Sequence, residues 1–441
     1  MAKIGFISLG CPKNQVDSEL MLEKLAAAGH EIIDTPVGAD VIIINTCGFI
    51  EAAKQEAIDN ILEMAGYKAD GDAGKIIVTG CLAERYRDEI LTEMPEVDAV
   101  VGLGANGDIV SVVEKVLSSV PPFGVYPPKS EMPLCGGRLL TTPEHWAYLK
   151  IADGCSNCCT YCAIPSIRGP FRSRPMEEII KEAEQLAENG VKELILVAQD
   201  DTRYGEDLYG ESRLPELLTE LSKIEKLWWI RLLYCYPDRI TDKLLKVMAQ
   251  SEKVLNYIDL PLQHASGKIL KAMNRHGDSE SYLALIKKIR SYMPDAIIRT
   301  TFITGFPGET EEDFNVLCEF VEKARFDRLG CFAYSPEEGT AAALMPDRPD
   351  TQTAEKRGEV IMDIQYRIFT EKQKALIGTV RQCVIEDYDG YNDVYTGRTW
   401  GDAPEIDSTV TVITDGNLEI GQFTEVEIKD VKDYDLVAET L

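Results

Sequence analysis

The first 118 residues alternate short apolar runs with longer stretches in which apolar residues recur every three or four positions. The runs "KIGFISLG", "ADVIIINT" and "GKIIVTG" are rich in β-branched residues and have the length of strands. Helical patterns follow them, for example "DSELMLEKLAAAG" (Asp17 to Gly29, with glycine as the stop) and "EAAKQEAIDNILEMAG". This alternation predicts an open parallel sheet with helices on its faces, so residues 1–118 are expected to form an N-terminal α/β domain.

A cysteine follows each of these three strands, and we call Cys11, Cys47 and Cys81 the N-terminal trio. The carboxyl ends of parallel strands lie at one edge of a sheet, and in open α/β sheets ligands bind at that edge. A single cysteine after a strand is most often a small buried hydrophobic residue. Three in the same topological position favour a shared site, although the pattern alone does not identify a metal.

The rest of the chain divides where this pattern changes. Residues 119–136 include "VPPFGVYPPKSEMP" and predict a proline-rich, semi-rigid linker. Residues 137–368 contain six strand-like runs with helical patterns between them, which predicts a partial (βα)6 barrel with its chemistry at the strand carboxyl ends. A long helix, about Thr353 to Leu376, leads out of it. Residues 369–441 show short alternating strands between Gly, Asp and Asn turns, which predicts a small antiparallel β-barrel.

The acidic charge of the chain favours some classes of binding partner over others. The net charge is −28, from 74 Asp and Glu against 46 Lys and Arg. From Ala375 to Leu441, 15 acidic residues stand against 4 basic ones, a net charge of −11. Such a surface repels nucleic-acid phosphates and suits a basic protein, although acidity that only maintains solubility has the same composition.

The expected location is the cytoplasm, without a membrane. No apolar run has the length of a membrane span, and the start "MAKIGFISLG" lacks the apolar core and cleavage site of a signal peptide. Thiols stay reduced in that compartment. The twelve cysteines are therefore better interpreted as metal ligands or reactive groups than as disulfides.

The densest group of cysteines is "DGCSNCCTYCAIP" (residues 153–165), in the loop after the first predicted barrel strand. Cys155, Cys159 and Cys162, which we call the barrel trio, form a C-x3-C-x2-C run. Zinc normally takes four ligands in two separated pairs, and no second CxxC pair lies elsewhere in the sequence. Three thiolates from one loop would hold a cubane iron–sulfur cluster and leave one iron open for another ligand. Cys158 is interpreted as a bystander thiol.

The run "GCSNCCTYCAIPSIRG" resembles the signature of the radical S-adenosylmethionine (SAM) enzymes. With "SLGCPKNQVDSE", "INTCGFIEAAKQE" and "VTGCLAERY", the chain resembles the methylthiotransferase branch of that superfamily. The segments "LPLQHASGKILKAMNR", "TFITGFPGETEEDF" and "YSPEEGTAAA" are similar to those of enzymes that modify ribosomal protein S-twelve of the small subunit. The resemblance covers essentially the whole chain and implies that the last barrel is of the TRAM type.

This resemblance implies two 4Fe–4S clusters, one on each trio. The open iron of the barrel cluster would chelate SAM, and an electron passed through the cluster would cleave it to a 5′-deoxyadenosyl radical. The cluster on the N-terminal trio would hold the sulfur that is methylated and delivered. The expected reaction is methylthiolation of the β-carbon of an aspartate in S-twelve, with two SAM molecules as methyl donor and radical source.

Other candidate residues lie at predicted strand ends. Gln199 and Asp200 in "VAQDDTRYG" are candidates for contact with cofactor or substrate. Gly305 and Gly308 in "TGFPGET" either bring backbone amides to the cofactor or form a simple tight turn.

The remaining candidates are given structural roles. Arg168 and Arg172 follow the cluster loop and are interpreted as partners of surface acids, with a substrate carboxylate as the alternative. His264 is expected to be a hydrogen-bonded structural histidine. Three thiols within strand or helix patterns are expected in the core: Cys235, Cys318 and Cys331.

Two alternatives stay open. A tRNA methylthiotransferase would share both clusters and the radical step, but the acidic C-terminal barrel is a poor match for phosphate. A non-catalytic iron–sulfur or zinc protein would not need so large a barrel. An external reductant is required, such as a flavodoxin or a ferredoxin, and the sequence identifies neither it nor the sulfur donor.

Overall fold

The computed structural model describes residues 1–118 and 120–441, and its parallel sheets and closed C-terminal barrel confirm the predicted fold class. The N-terminal strands are β1 (Lys3–Ser8), β2 (Glu31–Ile33), β3 (Val41–Thr46), β4 (Lys75–Gly80), β5 (Ala99–Val101) and β6 (Phe123–Val125). They form one parallel sheet in the order β2-β1-β3-β4-β5-β6.

Helices cover both faces of this sheet, and an apolar core lies under each face. The helices are α1 (Pro12–Ala27), α2 (Glu51–Asp70), α3 (Cys81–Tyr86), α4 (Asp88–Glu93) and α5 (Ile109–Leu117). One core packs α1 and α5 against the sheet, and the other packs α2, α3 and α4 against it. Burial on both faces explains why the central strands are continuous apolar runs.

Two predictions differ from the structure here. Helix α1 begins at Pro12, before the predicted Asp17, because proline suits the first helical position. The residues that follow, Lys13 and Asn14, are polar, and the structure buries them within this first turn. The segment 119–136 contributes β6 to the edge of the sheet. Prolines are tolerated beside an edge strand, because they lack a backbone N–H donor and an edge strand pairs on one side only. Ser119, the first residue of this segment, lies outside the described residues.

The central part forms a second parallel sheet, in the sequential order of a barrel that stays open. Its strands, followed in order round the sheet, are β7 (Trp146–Lys150), β10 (Glu193–Val197), β11 (Trp229–Leu232), β12 (Val254–Asp259), β13 (Ile297–Thr304) and β14 (Arg328–Ala333). A separate antiparallel pair, β8 (Ala152–Asp153) and β9 (Arg172–Ser173), flanks the cluster loop.

Helices connect these strands as predicted. They are α6 (Ile164–Arg168), α7 (Met176–Glu188), α8 (Glu206–Tyr209), α9 (Leu214–Leu221), α10 (Asp242–Gln250), α11 (Gly267–Ala272), α12 (Ser279–Tyr292), α13 (Glu311–Ala324) and the long α14 (Thr351–Lys374). Short 3-10 turns occur at Leu103–Asp108, Lys129–Glu131, Asp201–Arg203, Pro237–Arg239 and Ala342–Leu344.

The C-terminal barrel is closed, in the order β15-β16-β17-β19-β18. Its strands are β15 (Val380–Asp389), β16 (Val394–Thr399), β17 (Val410–Ile413), β18 (Phe423–Lys432) and β19 (Asp435–Thr440). The prediction of an antiparallel barrel holds for every pair except β17 and β19, which are parallel. A ring with an odd number of strands cannot alternate direction throughout, so one parallel pair is unavoidable.

Buried ion pairs fix the three parts to one another. Arg398 of β16 pairs with Glu193 of β10 at 2.7 Å and with Glu386 of β15 at 2.8 Å. On the other side, Glu19 of α1 accepts a hydrogen bond from the Nε of Arg138 at 3.0 Å. These pairs hold the N-terminal sheet and the C-terminal barrel in set positions on the core. Among the described residues, the helices include none with the length and apolar character needed to cross a bilayer.

Candidate active site

The N-terminal trio lies at the carboxyl edge of the first sheet. Cys47 directly follows β3, Cys11 is the N-cap of α1, and Cys81 is the first residue of α3, directly after β4. β1 pairs with β2 on one side and β3 on the other, so the strand order reverses between β1 and β3. Ligands bind at such a reversal in open α/β folds.

Glycines let the loops of this trio approach closely. Gly10 has a φ of 95°, and a Cβ atom there would lie 2.7 Å from the Cβ of Cys47 and 3.0 Å from its Sγ. At Gly48 a Cβ atom would lie 2.8 Å from the Cα of Leu82, the neighbour of Cys81. The backbone therefore brings the three loops together only because these positions lack a side chain.

Two buried cations face the N-terminal trio. Burial raises the pKa of the Cys11 thiol, but the charges of Lys13 and Arg168, together with hydrogen bonds from the backbone of residues 13 and 14, more than offset this, so that pKa lies below its ordinary value. Burial raises the pKa of Cys81 to about 12, although Arg168 opposes the rise. Burial and the charge on Cys11 also raise the pKa of Cys47. The cations therefore supply positive charge that can offset the negative charge of thiolate ligands.

The barrel trio lines a cavity of about 190 Å³ at the carboxyl ends of the core strands. Gln199, which follows β10, lines the same cavity. Burial raises the pKa of Cys162 to about 12 and lifts that of Cys155 above its ordinary value. The walls are completed by Phe49, Asn157, Tyr161, Ile164, Tyr234, Cys235, Tyr236, Pro261, Gln263 and Arg275.

The loop that carries the barrel trio is held by side chains from neighbouring elements. Asn157 donates to Asp200 at 2.9 Å and accepts from Arg203 at 3.1 Å. The Nη1 of Arg275 lies 3.8 Å from the Sγ of Cys159, which accepts its hydrogen bond. Asp200 is buried and serves the loop through Asn157, so its structural role is to orient the cluster loop.

Cys158 differs from its neighbours in the loop. It is exposed and has a φ of 54°. Its carbonyl oxygen accepts a hydrogen bond from the side chain of Asn274 at 2.9 Å, which ties this part of the loop to the core. This placement supports the interpretation of Cys158 as a bystander thiol.

The N-terminal domain supplies part of the cavity wall. Phe49, two residues after Cys47, lines the 190 Å³ cavity beside the barrel trio. The ammonium of Lys13, two residues after Cys11, lies 3.3 Å from the centre of the Tyr234 ring, which lines the same cavity. Residues close in sequence to Cys11 and Cys47 therefore form or contact part of the wall of the barrel-trio cavity.

A larger cavity of about 580 Å³ adjoins the first. Both are lined by Phe49, Tyr161, Pro261 and Gln263. The larger one extends over the ends of β13 and β14, where its lining is mainly apolar, and it includes two carboxylates, Glu51 and Glu337. The two adjoining cavities together provide room for a small-molecule ligand beside the barrel trio.

The prediction that Arg168 pairs with surface acids is wrong, because Arg168 is buried between the domains. Its Nη1 donates to Asp153 at 2.8 Å, and its Nη2 donates to Asp17 at 3.0 Å and to the Oδ1 of Asn14 at 3.3 Å. Arg172 donates to the backbone carbonyls of residues 129 and 130 rather than to an acid. The positions of both arginines depend on contacts with segments that lie far away in the sequence.

The other candidates take structural positions. The amide of Gly305 donates to Glu309 at 2.7 Å, and that of Gly308 donates to the carbonyl oxygen of Asp347 at 2.9 Å. Both amides are engaged within the protein, as in the tight-turn alternative. His264 is buried, and its Nδ1 accepts a hydrogen bond from a backbone amide, as expected.

The remaining thiols are placed in part as predicted. Cys318 lies in α13 and Cys331 in β14, both half-buried. Cys235 is buried, but it follows β11 instead of lying within it, and it borders the cavity of the barrel trio.

Sequence reasoning missed four residues of the site. Lys13 and Phe49 each lie two residues after a cysteine of the N-terminal trio, and this spacing was a usable signal. Tyr234 and Arg275 reach the cavity from the core, and their sequence context carries no comparable signal.

The donor sets fit iron–sulfur clusters. Within residues 1–118 and 120–441, no three His, Cys, Asp or Glu side chains form a group able to hold a single metal ion. A cubane cluster spreads its thiolates over different irons, so it requires thiols placed around a space. The barrel trio surrounds such a space, and the N-terminal trio comes from three strand ends beside buried cations.

Three family profiles match successive parts of the chain. Residues 3–102 match "Uncharacterized protein family UPF0004", residues 149–321 match the Radical SAM superfamily, and residues 377–441 match the TRAM domain. The order agrees with the observed sheet, open barrel and closed barrel.

Relatives of full length are proteins named Ribosomal protein uS12 methylthiotransferase RimO. The protein from Clostridioides difficile is 49% identical over 447 residues, which cover 100% of this chain and 99% of that one. The protein from Desulfitobacterium hafniense is 47% identical over 446 residues, covering 100% and 98%. Among solved structures, the radical SAM methyltransferase TsrM from Kitasatospora setae superposes with a TM-score of 0.57 at 12% identity, over 88% of this chain and 79% of that one. At that identity the likeness shows the fold alone.

Proposed function

Because the chain belongs to the RimO family of ribosomal protein uS12 methylthiotransferases, we propose that it transfers a methylthio group to uS12. The acceptor would be the β-carbon of an aspartate, and two SAM molecules would serve as methyl donor and radical source. The chain is a radical SAM enzyme, so it uses a 4Fe–4S cluster and SAM. The single observation that carries the proposal is the end-to-end identity with these relatives.

The barrel trio is proposed to hold the cluster that binds SAM, and the N-terminal trio to hold a second 4Fe–4S cluster. When bound, the first supplies the electron that cleaves SAM, and the second supplies the sulfur to be transferred. The fit of both donor sets supports this assignment. Gln199 is proposed as a SAM contact because it lines the cavity of the barrel trio. Gly305 and Gly308 are also proposed to lie at the SAM site, with their amides donating to Glu309 and to the carbonyl oxygen of Asp347.

The chain's own residues bind, orient and shield the reactants. Asn157, held by Asp200, and Arg275, bonded to Cys159, fix the cluster loop. Phe49 and Tyr161 form walls that the two cavities share, and they would shield the reacting groups once cofactor and substrate fill both cavities. Glu19 and Arg138 hold α1, and with it Cys11, at a set distance from the barrel.

The charges favour a basic protein as substrate. The net charge is −28 for the whole chain, and the C-terminal barrel contains far more acidic than basic residues. The two carboxylates of the larger cavity, Glu51 and Glu337, already pair with Lys54 and Arg85, so the preference for a basic substrate rests on the overall acidity of the chain. These features support uS12 over tRNA as the substrate.

Three further parts of the proposal concern the surroundings of the reaction. The expected location is the cytoplasm, where ribosomal subunits are found. An electron donor of the flavodoxin or ferredoxin type would reduce the clusters. The sulfur donor is not specified.

The substrate is tested with enzyme reconstituted anaerobically with iron and sulfide. Recombinant uS12 and bulk tRNA are each incubated with SAM and dithionite and analysed by mass spectrometry. A mass gain of one methylthio group on uS12 is expected. A gain on tRNA and none on uS12 would overturn the proposed substrate.

The clusters are tested by iron and sulfide analysis of the same preparation. Wild-type protein should contain about eight irons per chain, and a Cys→Ala triple variant of either trio about four. Cys135→Ala is the matched control, because Cys135 is an exposed thiol outside both trios. A wild-type value of about four would refute the second cluster. Bound zinc, or iron without SAM cleavage, would support a non-catalytic protein.

The role of Gln199 is tested by equilibrium binding of SAM. Gln199→Ala should weaken SAM binding about tenfold, the effect of one lost hydrogen bond. Unchanged affinity would remove Gln199 from the cofactor site.

A further inference from the structure

Arg168 occupies a position that the proposed reaction does not explain. It ends α6, the helix that follows the barrel trio, yet its guanidinium reaches the N-terminal domain. Its side chain is 0% exposed. An arginine this deeply buried needs several partners to offset its lost hydration.

Its charge is balanced within a four-residue network. Arg168 pairs with Asp153 at 2.8 Å and with Asp17 at 3.0 Å, and Lys150 pairs with the same two carboxylates. Two cations and two anions make the network neutral overall. Within the network, Arg168 lies on α6, the helix that packs against α3 and its first residue, Cys81.

Two observations place Arg168 against the N-terminal trio. Cys81 packs in one apolar cluster with Ala163 and Ile167, so the helix that carries Arg168 touches a cysteine of the N-terminal trio. The Nε of Arg168 is buried and has no hydrogen-bond acceptor among the residues that the structure describes. Because Arg168 also interacts with the Cys81 thiol, this N–H group is placed to donate to a group held on that thiol.

A cluster on the N-terminal trio would provide the missing partner. A buried positive charge and a hydrogen bond to cluster sulfur both stabilise the more negative, reduced form. The effect is strong at a buried site, where water does not screen the charge. Removing the charge should therefore make the cluster harder to reduce.

We propose that Arg168 is a positioning residue that raises the reduction potential of the N-terminal cluster and joins that cluster to the barrel loop. This inference rests on the proposed second cluster. The residue links the two sites directly, because its backbone follows the barrel trio and its side chain reaches the N-terminal trio.

The test measures a potential instead of turnover. Barrel-trio Cys→Ala variants leave only the N-terminal cluster, which gains one electron from dithionite in an anaerobic titration followed by electron paramagnetic resonance. Arg168→Gln should shift the reduced-to-oxidised ratio at a fixed potential at least tenfold toward the oxidised form, about 59 mV for one electron. Arg168→Lys keeps the charge and should retain most of the wild-type potential. Arg172→Gln is the matched control and should leave the potential unchanged, because the hydrogen bonds of Arg172 within the described part of the chain go to two backbone carbonyls.

Folding is controlled by a charge-balanced variant. Arg168→Gln alone leaves excess negative charge in the buried network, so Asp153→Asn/Arg168→Gln replaces it if the single variant does not fold. A lower potential in either variant supports the inference. Lower thermal stability with an unchanged potential would overturn it and leave Arg168 a purely structural residue. Failure of the parent variant to bind any cluster would refute the second cluster itself, and this inference with it.

Discussion

Gly10, where the loops of Cys11 and Cys47 approach each other, offers a direct test of how the N-terminal trio is packed. A Cβ atom at this position would lie 2.7 Å from the Cβ of Cys47. Carbon atoms in contact normally stay about 3.5–4.0 Å apart, so Gly10→Ala must push the loops of Cys11 and Cys47 about 1 Å apart. Site residues generally need to stay within about 0.5 Å of their working geometry.

Gly10→Ala is expected to have two effects, one on the stability of the fold and one on the cluster. An alanine with a φ of 95° is strained, which costs about 1–3 kcal/mol of unfolding free energy. The displacement of Cys47 adds a loss specific to the cluster. We expect Gly10→Ala to reduce iron from about eight to about four per chain and methylthiolation of uS12 about 100-fold or more.

Gly29→Ala is the matched control. Gly29 has a φ of 87° and follows the same helix, but an added Cβ would meet nothing within 4 Å among the described residues. Both variants should lose stability in urea unfolding of the metal-free proteins because of the strained φ, Gly10→Ala somewhat more because of its clash, and only Gly10→Ala should lose iron. Full iron content and activity in Gly10→Ala would refute the inferred packing of the trio.

Three further predictions address the barrel loop, the domain interface and a pH effect. Cys159→Ala should reduce iron to about four per chain, whereas Cys158→Ala should keep about eight, because Cys158 is exposed. Arg398→Met should lower the free energy of unfolding by about 1–3 kcal/mol in urea, because Glu193 loses one buried arginine partner and keeps the other, Arg231. Asp313→Asn should lower the free energy of unfolding by about 1–3 kcal/mol at pH 7, and the difference from wild type should become smaller below about pH 4.

The sign of the pH effect follows from the contacts of Asp313. Burial raises the pKa of its carboxyl group, but hydrogen bonds from Lys268 and Ser266 outweigh burial and hold that pKa below its ordinary value. Such a carboxylate stabilises the fold above its unfolded pKa of about 3.9, and the stabilisation is lost as the pH falls through the folded pKa. A deficit that stays constant from pH 7 to pH 3 would contradict this account.

The other two predictions have their own controls. Lys429→Met removes an exposed pair with Glu427 in the same barrel as Arg398 and should change unfolding little. Equal losses in Lys429→Met and Arg398→Met would contradict the assigned interface. Loss of iron in Cys158→Ala would make Cys158 a ligand and contradict its role as a bystander.

The sequence by itself determined the local elements and the identity of the donors. The period of apolar residues predicted the strands and helices, because side-chain burial follows the geometry of each element. The topological position of Cys11, Cys47 and Cys81 also followed from the sequence, since the carboxyl ends of parallel strands share an edge. The barrel trio could be predicted from its spacing, because its three cysteines lie in a single loop.

Tertiary structure alone decided what lies between these elements. Residues 123–125 join the N-terminal sheet, although their flanking prolines indicate a linker. Phe49 lines a cavity formed by another domain, and Arg168 is buried against α1 instead of exposed. Each outcome depends on surfaces far apart in the chain meeting in one orientation. The periodicity of apolar residues and the spacing of cysteines describe only residues that are close in the sequence, so they do not predict how distant surfaces pack together.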